Sequence, residues 1–192
     1  GFMRGSSSIS DSNGNLLLMS DGYSLYNSTG QFIDNGDTLS PKGWYNFNQG
    51  EGRYTQTSLI LPMTNKKYYF INTSMTDTQF TKAINAPDWT YPTNILLYHV
   101  VDMNANGGAG KVTERMKPLI ENVDLYPSAM MACRHANGKD WWLLKQAGDS
   151  TNGNRIFTFL FTQDSVYSID TLLMPYPFAD KGWNLSQYAF SM

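Results

Sequence analysis

The stretch ISDSNGNLLLMSDGYSLYN, Ile9 to Asn27, decides the fold class. Its apolar residues come in short runs, broken by Asp11-Ser12-Asn13-Gly14-Asn15 and by Asp21-Gly22. Asn-Gly and Asp-Gly between apolar runs are strong hairpin signals, because tight hairpin turns need positive φ, which Asn and Gly adopt at little cost. The stretch therefore predicts antiparallel strands over Ser6 to Ser10, Leu16 to Ser20 and Tyr23 to Asn27. A further turn, Ser28-Thr29-Gly30, leads into Gln31-Phe32-Ile33 and closes on Asp34-Asn35-Gly36-Asp37, which makes a four-stranded meander.

Outward from this unit the apolar period stays at two or is continuous, and a 3.6-residue period is nearly absent, so strands dominate. Ser58 to Met63 and Tyr68 to Thr73 flank the turn Asn65-Lys66-Lys67, and a long strand follows over Asn94 to Asp102. From Ser128 the pattern returns in four runs: Ala129 to His135, Asp140 to Gln146, Arg155 to Thr162 and Ser165 to Asp170. Three such units, at about 5–40, 56–113 and 128–173, with four strands each, predict propeller blades of the WD40 or kelch kind. The second unit carries an insertion, 76–93, read as a loop or short helix. Val112 to Tyr126, with Glu114, Arg115, Lys117 and Pro118, reads as the connection between the second and third units. Residues 186–192 read as the opening strand of a fourth blade in a larger ring, left to be completed by further blades or another chain.

Composition narrows the function. Fourteen Lys and Arg against sixteen Asp and Glu leave a net charge of −2, and the largest basic group is Lys66-Lys67. Nucleic-acid binding needs clustered cations, so it is not expected. With 41% hydrophobic and 14% aromatic residues the chain is too apolar for disorder, yet no run reaches the 18 apolar residues of a membrane helix. One cysteine, Cys133, excludes an internal disulfide and two-cysteine redox chemistry. The start at Gly1-Phe2-Met3-Arg4 reads as an internal piece or a processed product. Few charges with abundant Asn, Ser, Thr, Gly and Tyr suit an extracellular bacterial β-protein.

Three ordered stretches carry a resemblance. Ile9 to Asn27, Asn94 to Lys111 (NILLYHVVDMNANGGAGK) and Cys133 to Leu144 (CRHANGKDWWLL) resemble the N-terminal propeller-like regions of large secreted Bacteroidetes proteins. Those proteins often end in a type IX secretion sorting domain of the gliding-motility-associated C-terminal kind. Tyr188 to Met192 resembles the opening of the family's next blade. The resemblance implies export to the cell surface and an adhesive or binding role. It also implies that Trp142 is the core aromatic, with Trp141 turned toward a neighbouring blade or solvent. The triplets at Asp37-Thr38-Leu39, Asp164-Ser165-Val166 and Asp170-Thr171-Leu172, and more loosely Asp149-Ser150-Thr151, resemble the O-glycosylation motif of exported Bacteroidetes proteins.

Catalytic and metal signals are weak. Asp11 to Asn15 starts like a calcium loop, but Leu16 and Gly22 stand where that loop needs glycine and a bidentate acid, so a plain turn is the better reading. His99 and His135 have no metal-ligand spacing, and Cys133 has no nucleophile signature. No catalytic residue, cofactor or metal is expected. Glu51, Asp88, Glu114 and Asp124 are the acids a glycosidase or lyase would draw on, if two lay about 5–10 Å apart. Trp44, Tyr45, Phe47 and Tyr54, interleaved with Gly43, Gly50 and Gly52, form an aromatic loop that either contacts a glycan or protein or plugs a central channel. Trp89 and Tyr91, between Pro87 and Pro92, form a second candidate contact patch. The expectation is a non-catalytic cell-surface module that binds protein or glycan through rim loops. Its alternatives are a propeller glycoside hydrolase or lyase, and a subunit of a larger surface assembly completed by another chain.

Overall fold

The computed structural model describes residues 4–52, 54–87, 93–149 and 153–174. Three strands of the expected four-stranded meander are present: β1 (Ser7–Ser10), β2 (Leu16–Ser20) and β3 (Leu25–Asn27) form an antiparallel sheet in that order, while Gln31-Phe32-Ile33 makes only the isolated bridge between Phe32 and Tyr26. Its first turn is fixed by Asp11, whose Oδ1 accepts from the N–H groups of Asn13 and Asn15 at 2.9 and 2.8 Å, while Gly14 takes φ 83°. The Asn15 side chain, donating to Oδ2 at 2.9 Å, leads the contacts that lower the Asp11 carboxyl below the usual range.

A short helix α1 (Lys42–Phe47) follows Pro41. Strands β4 (Ser58–Pro62) and β5 (Lys67–Ser74) precede a second helix, α2 (Asp77–Ile84), whose N-cap Thr76 accepts from Gln79 N–H at 3.3 Å. Then come β6 (Thr93–Asp102), β7 (Lys111–Arg134), β8 (Trp141–Asp149), β9 (Gly153–Phe161) and β10 (Val166–Met174).

The fold is not the expected propeller. β4 to β10 form one open antiparallel sheet of seven strands in the order β10-β9-β8-β7-β6-β5-β4, neither closed into a ring nor divided into blades. The cause lies in Val112 to Tyr126, the expected connector, which is part of the 24-residue strand β7. Its first part pairs with β6 from Lys111 to Leu125, and its last part pairs with β8 from Leu125 to Arg134. The second and third predicted units are thus hydrogen-bonded into a single sheet. Residues 186–192, the expected fourth-blade strand, lie outside the described residues.

The sheet bends at β7, because side chains four strands apart touch. Tyr69 on β5 lies 5.0 Å from Phe161 on β9, ring centre to ring centre, and its Oη donates to Thr162 O at 3.0 Å. Trp141 Nε1 on β8 donates to Pro62 O on β4 at 2.9 Å. Flat strands about 4.8 Å apart would hold β5 and β9 roughly 19 Å apart. One face of the sheet therefore closes on itself around Leu61, Tyr69, Ile71, Leu96, Leu143, Phe159 and Phe161, all buried. The other face of β5 and β6 is covered by the small sheet, with Leu18, Leu25, Ile33 and Leu39 against Tyr68, Phe70 and Val101. β5 is the middle layer, buried on both faces from Tyr68 to Ser74. Each large apolar side chain so enclosed contributes roughly 1.5–3 kcal/mol.

Candidate interaction surface

The aromatic loop of the sequence folds inward. Trp44 is 1% exposed on α1, and its Nε1 donates to Tyr23 Oη at 2.8 Å. Phe47 stacks on it at 6.0 Å, and Phe80 of α2 meets both rings. Tyr45 and Tyr54 are half-buried around this cluster. Gly43 lets the two helices touch, since a Cβ there would sit 2.6 Å from Phe80, and its N–H donates to Asp77 Oδ1 at 2.7 Å. The buried Trp44 indole has no face open to stack a sugar. Trp89 and Tyr91 lie outside the described residues.

The tryptophan pair is reversed relative to the resemblance. The register Cys133↔Trp142 and Arg134↔Trp141 turns Trp141 toward the inner core, with the Arg134 guanidinium 4.6 Å from its ring. Trp142 is on the outer face, 5.4 Å from the His135 ring.

Of the described acids, Glu114 and Asp124 are ten positions apart on β7, but through its bulges they face β6 about six to seven residues apart, roughly 20 Å at about 3.3 Å per residue. Glu51 sits in a loop bridged to Gly22, and Asp88 lies outside the described residues. Among the described residues no three His, Cys, Asp or Glu group to hold a metal. His99 is fully buried: its Nδ1 accepts Met116 N–H at 3.0 Å, and its Nε2 faces Asn72 Oδ1 at 3.3 Å. Lys145, also buried, donates to the carbonyls of Tyr126 and Ser128 at 2.5 and 2.6 Å, and desolvation pushes its amine down to about 7. Both groups tie irregular parts of β7 to the core. Of the glycosylation candidates, Thr171 is exposed on β10, Ser165 is half-buried in the β9–β10 turn, and Thr38 is half-buried at φ 50°. Ser150 lies outside the described residues.

The apolar face least covered by the described residues is the outer face of β7 to β10, half-buried at Met131, Trp142, Leu144, Ile156 and Leu160, exposed at Tyr167 and Leu172, and buried at Gln146. Directly opposed residues in neighbouring antiparallel strands point to the same side. One row across that face reads Cys133, Trp142, Leu160 and Tyr167. The next reads Met131, Leu144, Thr158 and Asp170. A third reads Gln146, Ile156 and Leu172. Only Asp170 is charged. An apolar notch of about 30 Å³ lies among Ala129, Met131, Leu144, Gln146 and Ile156. Tyr167 and Leu172 stand 52% and 54% exposed beside it. Burial pushes the Cys133 thiol up, so it is a poor nucleophile in place. Sequence reasoning missed this face because the phase of each strand is set by register, and register is not visible in one strand alone. The available signal was the runs of mixed parity, Trp141-Trp142-Leu143-Leu144 and Ile156-Phe157, which mark strands apolar on both sides.

A second feature, a polar cleft of about 460 Å³, separates β1 from β4 and is lined by Arg4, Ser6, Ser7, Ser8, Gln56 and Ser58 among others. Ser7 and Ser58 hydroxyls meet across it at 2.9 Å. Among the described residues no helix is long and apolar enough to cross a membrane. Comparison with protein-family models, with curated proteins and with solved structures gives no match.

Proposed function

We propose that the chain is a non-catalytic binding module that contacts protein through the outer face of β7 to β10, within a secreted bacterial protein displayed at the cell surface. The observation that carries the binding role is that face. Among the described residues the apolar clusters around Leu143 and around Phe70 are each covered by a second sheet layer, whereas Met131, Leu144, Ile156 and Leu160 are only half-buried and Tyr167 and Leu172 are exposed, under no layer of the described residues. Contiguous exposed apolar surface rimmed by polar groups marks an interaction site. The cell-surface address is supported by the three ordered stretches and by the low-charge, Asn- and Ser-rich composition.

Hydroxyl-radical footprinting of the full chain, diluted below micromolar concentration, tests the surface. Met131, Trp142 and Tyr167 should be modified much faster than the buried Phe159 and Trp44. Equal protection of all five would overturn the reading. Protease shaving of intact source cells tests the address: loss of the protein without lysis supports it, and full resistance with a permeable-cell control that digests it counts against it.

A further inference from the structure

The same face carries a projection and a recess side by side, and this points to what covers it. Tyr167 and Leu172 project from β10, while the notch between Met131, Leu144 and Ile156 lies beside them across β7 to β9. A two-fold axis through such a face sets the projection of each copy over the recess of the other, because in an isologous contact residue i meets j and j meets i. Charge permits this, since Asp170 is the only charged side chain in the three rows and sits toward the edge strand. Size permits it too. Four strands about 4.8 Å apart, each about eight residues long at about 3.3 Å per residue, present roughly 500 Å². Two such faces remove roughly 1,000 Å² before side-chain relief is counted, the lower bound for a specific interface. The inner layers of the molecule already pack sheet on sheet with aliphatic and aromatic side chains, and an identical face offers the same chemistry.

Resting on the interaction surface proposed above, we infer that its occupant is a second copy of this chain, packed face to face through β7 to β10 as a symmetric dimer. The dimer buries Cys133 and Trp142 and leaves the β1–β4 cleft open on both copies.

Sedimentation velocity of the full chain across nanomolar to hundred-micromolar concentration, combined with the rate of Cys133 labelling by a maleimide, tests this. The expected result is a concentration-dependent rise to twice the chain mass, with Cys133 labelling slowing in step. Leu172→Asp should raise the dissociation constant by at least about tenfold. Leu173→Asp, more exposed and on the opposite side of β10, should leave it within about twofold. A chain that stays monomeric, with a Cys133 labelling rate that does not change with concentration and with Trp142 and Tyr167 open to hydroxyl radicals, overturns the dimer while the interaction surface stands, its occupant then being another protein. A monomer in which Trp142 and Tyr167 are as protected from hydroxyl radicals as Phe159 overturns both, because the face is then covered by the chain itself. A dimer weakened equally by Leu172→Asp and Leu173→Asp also overturns the inferred geometry.

Discussion

At the residue scale the most constrained position is His99. Its ring joins two layers: Nδ1 accepts Met116 N–H from β7, and Nε2–H faces Asn72 Oδ1. The Asn72 amide in turn donates to Leu39 O at 2.9 Å and Gly22 O at 3.2 Å, next to the small sheet. Burial, and secondarily the Arg115 guanidinium, push the imidazole down to about 3. The unfolded chain protonates this residue near 6.5. The stability it contributes is therefore complete above about pH 6.5 and is lost progressively as pH falls toward 3. Urea midpoints of the wild type should fall from pH 7 to pH 4 more steeply than those of His99→Gln, by close to one proton in the pH slope. Equal slopes would mean that His99 binds its proton alike in the folded and unfolded chains and is not held neutral by burial. The lone, unspaced position of His99 in the sequence is that of a structural or surface histidine, and the fold buries it. Its partners were not legible in the sequence, because Asn72 and Met116 meet it only through register.

At the element scale β7 explains both the bend of the sheet and why the connector reading failed. Four register shifts separate it from β6 and one from β8. Met116, Asn122 and Ala129 take φ of 49°, 57° and 58° near these shifts. Every bulge flips the phase of the side-chain alternation. A strand with several bulges thus shows no period of two over any long window, and Pro118 completes the likeness to a loop. By contrast β1 and β2, joined by an Asn-Gly turn, were legible in full. Left-handed φ in a non-glycine residue costs on the order of 1 kcal/mol. Met116 is 42% exposed, so little packing is lost on truncation. Met116→Gly should leave stability unchanged or raise it by up to about 1 kcal/mol, and Met116→Val should lower it by about 1–2 kcal/mol, because a β-branched residue resists that conformation. Chemical denaturation checks both, and a Gly variant less stable than the Val variant would show that β7 does not hold this bulge. The helix pair is constrained differently: Gly43→Ala would press a methyl onto Phe80 and should cost about 1–3 kcal/mol.

At the scale of the whole molecule, stability depends on one sheet face meeting itself. Among the described residues the two halves share a strand ladder only at β7, and at the far side they are held together by side chains. Tyr69 Oη to Thr162 O and Trp141 Nε1 to Pro62 O are long-range polar contacts across the fold, and Gln163 Oε1 adds a third by accepting Thr64 N–H at 2.6 Å. They ring the apolar cluster where it reaches the surface. Tyr69→Phe and Trp141→Phe each remove one such bond, and Trp141→Phe also trims the ring that packs on the core. The expected losses are about 1 kcal/mol for Tyr69→Phe and about 1–3 kcal/mol for Trp141→Phe. The informative quantity is the coupling between them. The two bonds are made by different residues to different carbonyls, yet Tyr69 packs on Phe161, and Phe161 pairs directly with Trp141. If the halves separate only in global unfolding, the double variant loses about the sum of the singles in one transition, with a coupling below about 0.5 kcal/mol. If the halves open as a unit short of unfolding, the first substitution already frees the seam. The double variant then loses clearly less than the sum, and hydrogen exchange of β8 and β9 amides quickens while that of β5 and β6 does not. The middle layer's burial on both faces favours the first outcome, because opening the seam exposes Ile71 and Leu96 together with Phe159 and Phe161 and leaves no separate core for the outer half. A single denaturation transition that coincides when followed by Trp141 fluorescence and by backbone circular dichroism is the expected observation. Two separated transitions would show instead that the strands beyond β7 unfold independently.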